Sequence, residues 1–290
     1  MFKGAFTALV TPFSGGQIDA QALRNHVDFQ IDKGIDGLVP CGTTGEASTL
    51  SHDEHIEVVR ITVEHTAGRV PVIAGSGSNS TSEALELTRR VKEVGADACL
   101  MITPYYNKPT QDGLYQHFST VAEKVDIPII LYNVPGRTGI NMLPETVARL
   151  AKIPNIVGLK DATADLKQAS YTRQLTPDDF VILSGEDALV YPLMAVGGSG
   201  VICVTSNILP GEMAQLCRKF MEGDVAGARQ LHHKLLPMCD ALFVETNPIP
   251  VKAALAMMGR IENELRLPMV PITEKGAASV RAAITEFGLI

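Results

Sequence analysis

No apolar run in this sequence is long enough to cross a bilayer; its longest apolar stretches are the length of β-strands. Positive charge is not in surplus either. Lys and Arg number 25 against 32 Asp and Glu, for a formal net charge of −7 and a pI near 5.5. No basic stretch reverses this balance locally, so neither nucleic acid nor a membrane is expected as a partner. The five cysteines, Cys41, Cys99, Cys203, Cys217 and Cys239, form no CxxC pair. An odd, scattered set implies reduced thiols in a cytoplasmic protein. Cys99 and Cys203 lie inside apolar runs, where cysteine acts as a small hydrophobe. The first ten residues lack the cleavage-site pattern of a signal peptide, in keeping with a cytoplasmic location.

Signatures of bound cofactors are missing too. There is no GxGxxG fingerprint, and no Gly-Lys-Ser/Thr follows the Gly42–Gly45 turn as a P-loop requires. HExxH is absent: His52 and His55 are three apart, and His232 and His233, being adjacent, should diverge on a helix. Neither a metal nor an organic cofactor is expected.

What is present is a regular alternation. The chain has 290 residues, of which 46% are hydrophobic and 20% charged, enough for one large core. Strand-like runs occur at Gly4–Val10, Gly37–Cys41, Pro71–Gly75, Ala98–Thr103, Ile127–Tyr132, Ile156–Lys160, Phe180–Ser184 and Gly200–Val204. Between them lie segments such as Asp53–Ala67, Ser82–Val94 and Gly113–Val125, whose apolar residues recur at helical spacing. Eight such units imply a parallel sheet and favour a closed (β/α)8 barrel, with an open doubly wound sheet as the alternative. From Leu209 onward the pattern is helical only, broken at Pro248–Pro250 and Pro268–Pro271. The expected organisation is a catalytic barrel over 1–223 and a helical C-terminal domain over 224–290. No low-complexity linker separates them, so one compact unit is expected.

A barrel presents its active site at the C-terminal ends of its strands. There the sequence places Gly42-Thr43-Thr44-Gly45-Glu46, Tyr105-Tyr106, Tyr132 through Arg137, Lys160-Asp161 and Gly185-Glu186. Lys160 directly follows an apolar strand. A desolvated lysine is drawn toward its neutral form, and a neutral amine can attack a ketone to form an imine. The alternative is an ammonium that snorkels into solvent. Lys92, Lys124 and Lys152 fall on helical segments and should be solvated. Tyr132, ending the neighbouring strand, could move protons for the imine, or could simply pack. The Gly42–Gly45 loop offers hydroxyls and N–H groups ahead of a helix, suited to a carboxylate; a plain tight turn is the alternative. Arg137 could clamp a second carboxylate or be a surface arginine. A second polar group gathers His52 and His55 with Asn79 and Glu83 on consecutive helices, near Tyr105. These too could be solvated helix starts, with Asn79 capping and Glu83 favouring the positive helix end.

Taken together, these strings resemble the class I pyruvate aldolase superfamily, which contains the dihydrodipicolinate synthases and N-acetylneuraminate lyases. The resemblance lies in Gly42-Thr43-Thr44-Gly45-Glu46, Thr103-Pro104-Tyr105-Tyr106-Asn107, Tyr132 through Gly139, Gly158 through Thr163, and Val244 through Lys252, so it covers nearly the whole chain. It implies that Lys160 forms a Schiff base with pyruvate and that Tyr132, Thr43 and Tyr106 relay protons, with Tyr106 reaching in from a neighbouring subunit. It implies that Thr43 and Thr44 hold the pyruvate carboxylate and Arg137 that of L-aspartate-4-semialdehyde. Gly185 and the Ile202 carbonyl would position the lysine. No cofactor is implied, and the assembly would be a homotetramer built as a dimer of dimers. The resemblance further implies inhibition by L-lysine bound at Ser48, His52, His55, Asn79, Glu83 and Tyr105. Ala47-Ser48 reverses the order of these two residue types in lysine-sensitive relatives. The rivals are a sister aldolase, which Arg137 argues against, and a non-catalytic protein on the same fold, which the Lys160, Tyr132 and Thr43 set argues against.

Overall fold

The structure, a computed structural model, describes residues 2–290. Eight parallel strands form one sheet: β1 Gly4–Ala8, β2 Gly37–Val39, β3 Ile73–Gly75, β4 Ala98–Ile102, β5 Ile129–Asn133, β6 Ile156–Asp161, β7 Val181–Ser184 and β8 Gly200–Cys203. Each pairs with its neighbours in chain order except β2 with β3, and β1 pairs with β8. The seam between β2 and β3 is closed by a bridge from Leu38 to Val72 and by Gly75 N–H donating to Pro40 O at 3.0 Å. That closure depends on glycine. A Cβ at Gly75 would stand 2.0 Å from the Cys41 carbonyl oxygen. The expected (β/α)8 barrel is therefore the fold, and the open sheet is set aside.

Helices α1 Ala20–Asp32, α2 His52–Thr66, α3 Thr81–Glu93, α4 Gln111–Lys124, α5 Pro144–Leu150, α6 Leu166–Leu175, α7 Val190–Ala195 and α8 Pro210–Met221 follow the strands in turn. α2 begins with a capping box, Ser51 accepting from Glu54 N–H while Glu54 accepts from Ser51 N–H. α8 packs on β1. Three more helices complete the chain: α9 Val225–Ala241, α10 Ile249–Met257 and α11 Glu274–Glu286. Pro248 and Pro250 start α10 rather than interrupt a helix, because proline lacks only an N–H that a first turn leaves unpaired anyway. Pro237 sits inside α9. A small hairpin, Phe13–Ser14 with Gln17–Ile18, was not legible as strands; two residues a side carry no alternation to read. Among the described residues no helix is long and apolar enough to cross a membrane.

Strand alternation sorts the side chains into two layers. On β5, Ile129 and Leu131 join the layer under the helices, while Ile130 and Tyr132 face the barrel interior. On β6, Leu159 faces the helices, so Lys160 faces inward. Phe6, Val39, Ile73, Leu100, Leu183 and Ile202 fill the same interior. The C-terminal helices share their core with the barrel: Leu235, Met238, Val251, Leu255 and Val280 pack with Ala5, Leu9, Val201 and Cys203.

Two buried histidines give the fold a pH limit. His26 shares a hydrogen bond with Asn207 Oδ1 at 2.9 Å, and His117 with Thr81 Oγ1 at 2.9 Å; each has its other ring nitrogen buried without a partner. Burial pushes each from 6.5 to about 4. Between those values the unfolded chain binds more protons than the folded one. Their contribution is therefore present above pH 6.5 and is lost as pH falls through about 4. Two imidazoles should titrate near pH 4 by NMR, and a His117→Gln variant should lose about 2–3 kcal/mol less stability than the parent between pH 6.5 and 4.5. Midpoints near 6.5 for all seven histidines would contradict this.

Candidate active site

Lys160 and Tyr132 are register partners on β6 and β5, so their side chains leave the sheet side by side. Both are 7% exposed, and Lys160 Nζ stands 4.3 Å from the centre of the Tyr132 ring. The next strand leaves room for the lysine by carrying no side chain. A Cβ on Gly185 would fall 3.0 Å from Lys160 Cε and 2.6 Å from Ala162 Cβ. Ile202 is buried in the interior on β8. Around the lysine lie three acids, Asp161, Glu186 and Asp187. Burial raises the carboxyl of each above its usual range. At Glu186 the charge of Asp187 adds to this, while Lys160 and Arg137 pull the other way. Asp187 accepts from the N–H groups of Val204 and Thr205, at 3.0 and 2.6 Å, and so ties the end of β7 to that of β8.

Beside this pair opens a cavity of about 490 Å³. Thr43, Tyr132 and Arg137 line it, together with Ser48, His52, His55, Glu83 and Tyr105. Two groups that the sequence suggests separately thus border one space. His55 is buried, its Nε2 2.7 Å from Gly75 O, and Glu83 accepts from Ser78 Oγ at 2.7 Å. Asn79 is not in the wall; its backbone carbonyl accepts from Asn107 Nδ2 at 2.8 Å. Tyr106 is 90% exposed, with φ +73°, and also lies outside the cavity of this chain. Lys160 lies next to the wall formed by Tyr132 rather than in it. Lys92, Lys124 and Lys152 are exposed.

The Gly42–Gly45 loop differs from expectation in one respect. It does not run into a helix N-terminus: a single 3-10 turn, Ala47–Thr49, intervenes, and α2 caps itself at Ser51. The loop is instead folded on itself, with Gly45 and Glu46 N–H donating to Gly42 and Thr43 carbonyls at 3.1 Å each. Any carboxylate held there meets hydroxyls and loop amides, not a helix end. The adjacent pair His232 and His233 also departs from expectation; their rings lie 5.3 Å apart, and the His232 ring stacks on Tyr191 at 5.6 Å.

The structure adds three residues to which sequence reasoning gave no role. Lys252, fully buried on α10, donates to Glu46 Oε1 at 2.6 Å and to Thr11 O at 2.9 Å, above the Phe13 ring. Burial lowers its pKa, and the Glu46 charge works against that shift. Arg266 N–H donates to the other Glu46 oxygen at 3.0 Å. Asn247 Nδ2 donates to Thr44 Oγ1 at 3.0 Å, and its carbonyl accepts from Arg137 Nη2 at 3.2 Å. One signal was available for Lys252: it is the lone charge in the apolar run from Ile249 to Leu255.

A closed barrel that buries one lysine at the C-terminal end of β6, against a tyrosine and beside a hydroxyl-lined cavity, defines the class of lysine-bearing barrel lyases. Residues 1–287 match the model of the dihydrodipicolinate synthetase family. The chain is 56% identical, over 290 residues, to a 4-hydroxy-tetrahydrodipicolinate synthase of Nitratidesulfovibrio vulgaris strain Miyazaki F, covering 100% of this chain and 99% of the relative. Among solved structures it is similar to the chloride-inhibited dihydrodipicolinate synthase of Acinetobacter baumannii complexed with pyruvate, with a TM-score of 0.98, 45% identity and full coverage of both chains. It is also similar to the Cyanidioschyzon merolae enzyme with lysine bound, with a TM-score of 0.97, 41% identity, and 100% and 99% coverage. The chain belongs to the dihydrodipicolinate synthetase family, and its activity is that of a 4-hydroxy-tetrahydrodipicolinate synthase.

Proposed function

We propose that the reaction runs through an imine on Lys160. The observation that carries this reading is the burial of Lys160 against Tyr132, with Gly185 leaving space for its stem. Neutral Nζ attacks the keto carbon of pyruvate, and water leaves as the imine forms. The imine draws electrons from the methyl carbon, which gives up a proton and attacks the aldehyde of L-aspartate-4-semialdehyde. The acceptor's own amine then displaces Lys160 and closes the ring of 4-hydroxy-tetrahydrodipicolinate. Tyr132, its ring 4.3 Å from Lys160 Nζ, serves these proton transfers, and Thr43, in the same cavity wall, extends the relay. Thr43 and Thr44 hold the pyruvate carboxylate. Arg137, at the cavity edge, holds that of the semialdehyde. The Ile202 carbonyl orients the lysine. The pyruvate complex of the Acinetobacter baumannii relative supports pyruvate as the first substrate. We place the enzyme in the cytoplasm, in keeping with five free, buried cysteines.

Tyr106 completes the relay from a second copy of the chain, in a homotetramer arranged as a dimer of dimers. Its support is exposure: a catalytic tyrosine that points away from its own barrel can serve only another. We divide the chain at residue 223, with 224–290 a helical appendage that buttresses the barrel mouth through Asn247 and Lys252. A mixture of Lys160→Ala and Tyr106→Phe chains, each inactive alone, should recover part of the parental activity through hybrid assemblies. No recovery despite demonstrated subunit exchange would contradict a shared site.

L-Lysine is the effector of the second half of the cavity, at Ser48, His52, His55, Glu83 and Tyr105, with Asn79 beside the wall. Glu83 would accept from an ammonium group, and the Tyr105 hydroxyl would donate to the carboxylate. The lysine-bound relative supports this assignment. Activity should fall in part across a lysine titration, and the fall should weaken in Glu83→Ala. A flat response in the parent enzyme would remove the site.

A further inference from the structure

The turn that leads into α10 touches both carboxylate-binding arms. Asn247 is 4% exposed and Thr44 2% exposed, and the Asn247 Nδ2 group donates to Thr44 Oγ1 at 3.0 Å. The Asn247 backbone carbonyl accepts from Arg137 Nη2 at 3.2 Å. A residue from the far end of the chain, about 200 positions from Thr44 in sequence, therefore meets the group assigned to pyruvate with its side chain and the group assigned to the semialdehyde with its backbone.

The polarity of the first bond matters. A threonine hydroxyl has one hydrogen to give and two lone pairs to fill. With an amide N–H occupying one lone pair, the Thr44 hydrogen stays free for another acceptor. A carboxylate has only acceptors. Were the amide the acceptor instead, the one hydrogen of Thr44 would already be taken, and an arriving carboxylate would meet lone pairs. The other end of the side chain points the same way. Asn247 Oδ1 is buried without a partner, a state native folds tolerate at few positions. A side chain kept only for packing gains nothing from that arrangement, whereas one kept to donate from Nδ2 does.

We propose that Asn247 is a positioning residue for the pyruvate carboxylate: by donating to Thr44 Oγ1 it fixes that hydroxyl as a donor toward the substrate. This rests on the assignment of Thr44 to pyruvate. It assigns the segment before α10 a role in substrate binding as well as in packing.

The test is a cycle of four proteins, the parent, Asn247→Ala, Thr44→Val and the double variant, with KM measured for each substrate. Asn247→Ala should raise the pyruvate KM about tenfold, the worth of one hydrogen bond to a charged group. It should leave the semialdehyde KM close to the parent value, because Arg137 leans on a backbone carbonyl that the substitution retains. In the Thr44→Val background the same change should add nothing to the pyruvate KM, since no hydroxyl remains to be oriented. A merely structural loss would move both KM values together. An unchanged pyruvate KM in Asn247→Ala, or a rise that persists undiminished without the Thr44 hydroxyl, would overturn the proposal. If Thr44→Val itself leaves the pyruvate KM unchanged, the Thr44 assignment falls, and the proposal with it. Should Asn247→Ala fail to fold, Asn247→Leu keeps the volume, removes the donor without adding a charge beside Arg137, and serves in the same cycle with the same expected rise.

Discussion

The mouth of this barrel depends on one buried ion pair. Lys252 on α10 is fully buried and holds Glu46, 4% exposed, at 2.6 Å. Glu46 stands directly after the Gly42–Gly45 loop in a left-handed conformation, φ +53°, a geometry that a non-glycine residue holds only when its surroundings enforce it. Lys252 and the Arg266 N–H supply that enforcement, one on each carboxylate oxygen. Such a pair adds little net stability compared with well-packed apolar residues. Removing one partner, however, strands a buried charge at a cost of about 3–5 kcal/mol. The pair therefore serves geometry more than stability: it binds the C-terminal helices to the loop that carries Thr43 and Thr44. Arg266 extends the grip by pairing with Glu54 in the cap of α2.

The chemistry follows from register. Because Tyr132 and Lys160 are partners on adjacent parallel strands, a one-residue slip of either strand would turn its member of the pair into the helix layer. The apolar residues around them forbid that slip. Leu131 and Leu159 belong to the outer core, and the one on the slipping strand would be forced into the interior. The lysine is thus aimed by the same hydrophobic alternation that folds the barrel. Gly185 then supplies the space, and Asp187 fixes the two strand ends beyond it.

Much of this was legible in the sequence. All eight strands fall within the apolar runs read from it, apart from single residues at the ends of β5 and β6, because parallel strands buried on both faces give continuous apolar stretches. Residues Thr43, Tyr132, Lys160 and Arg137 were visible as polar groups closing those stretches. The contacts from the C-terminal segment were not. Asn247 meets Thr44 across 203 positions and Lys252 meets Glu46 across 206, separations that no local periodicity encodes. The hairpin at Phe13–Ile18 is too short to show alternation. The convergence of the His52–Glu83 group with the cavity beside Lys160 needed the curvature of the barrel, which brings α2 and α3 together. The exposure of Tyr106 is likewise a property of loop geometry that its neighbours in sequence do not announce.

In the proposed mechanism Lys160 alone carries the covalent intermediate. Incubation with pyruvate followed by borohydride reduction, and then peptide mass mapping, tests it most directly. One irreversible adduct per chain is expected, on Lys160, formed before any aldehyde is added. An adduct on Lys252 or Lys167, or no adduct under conditions of full activity, would contradict it.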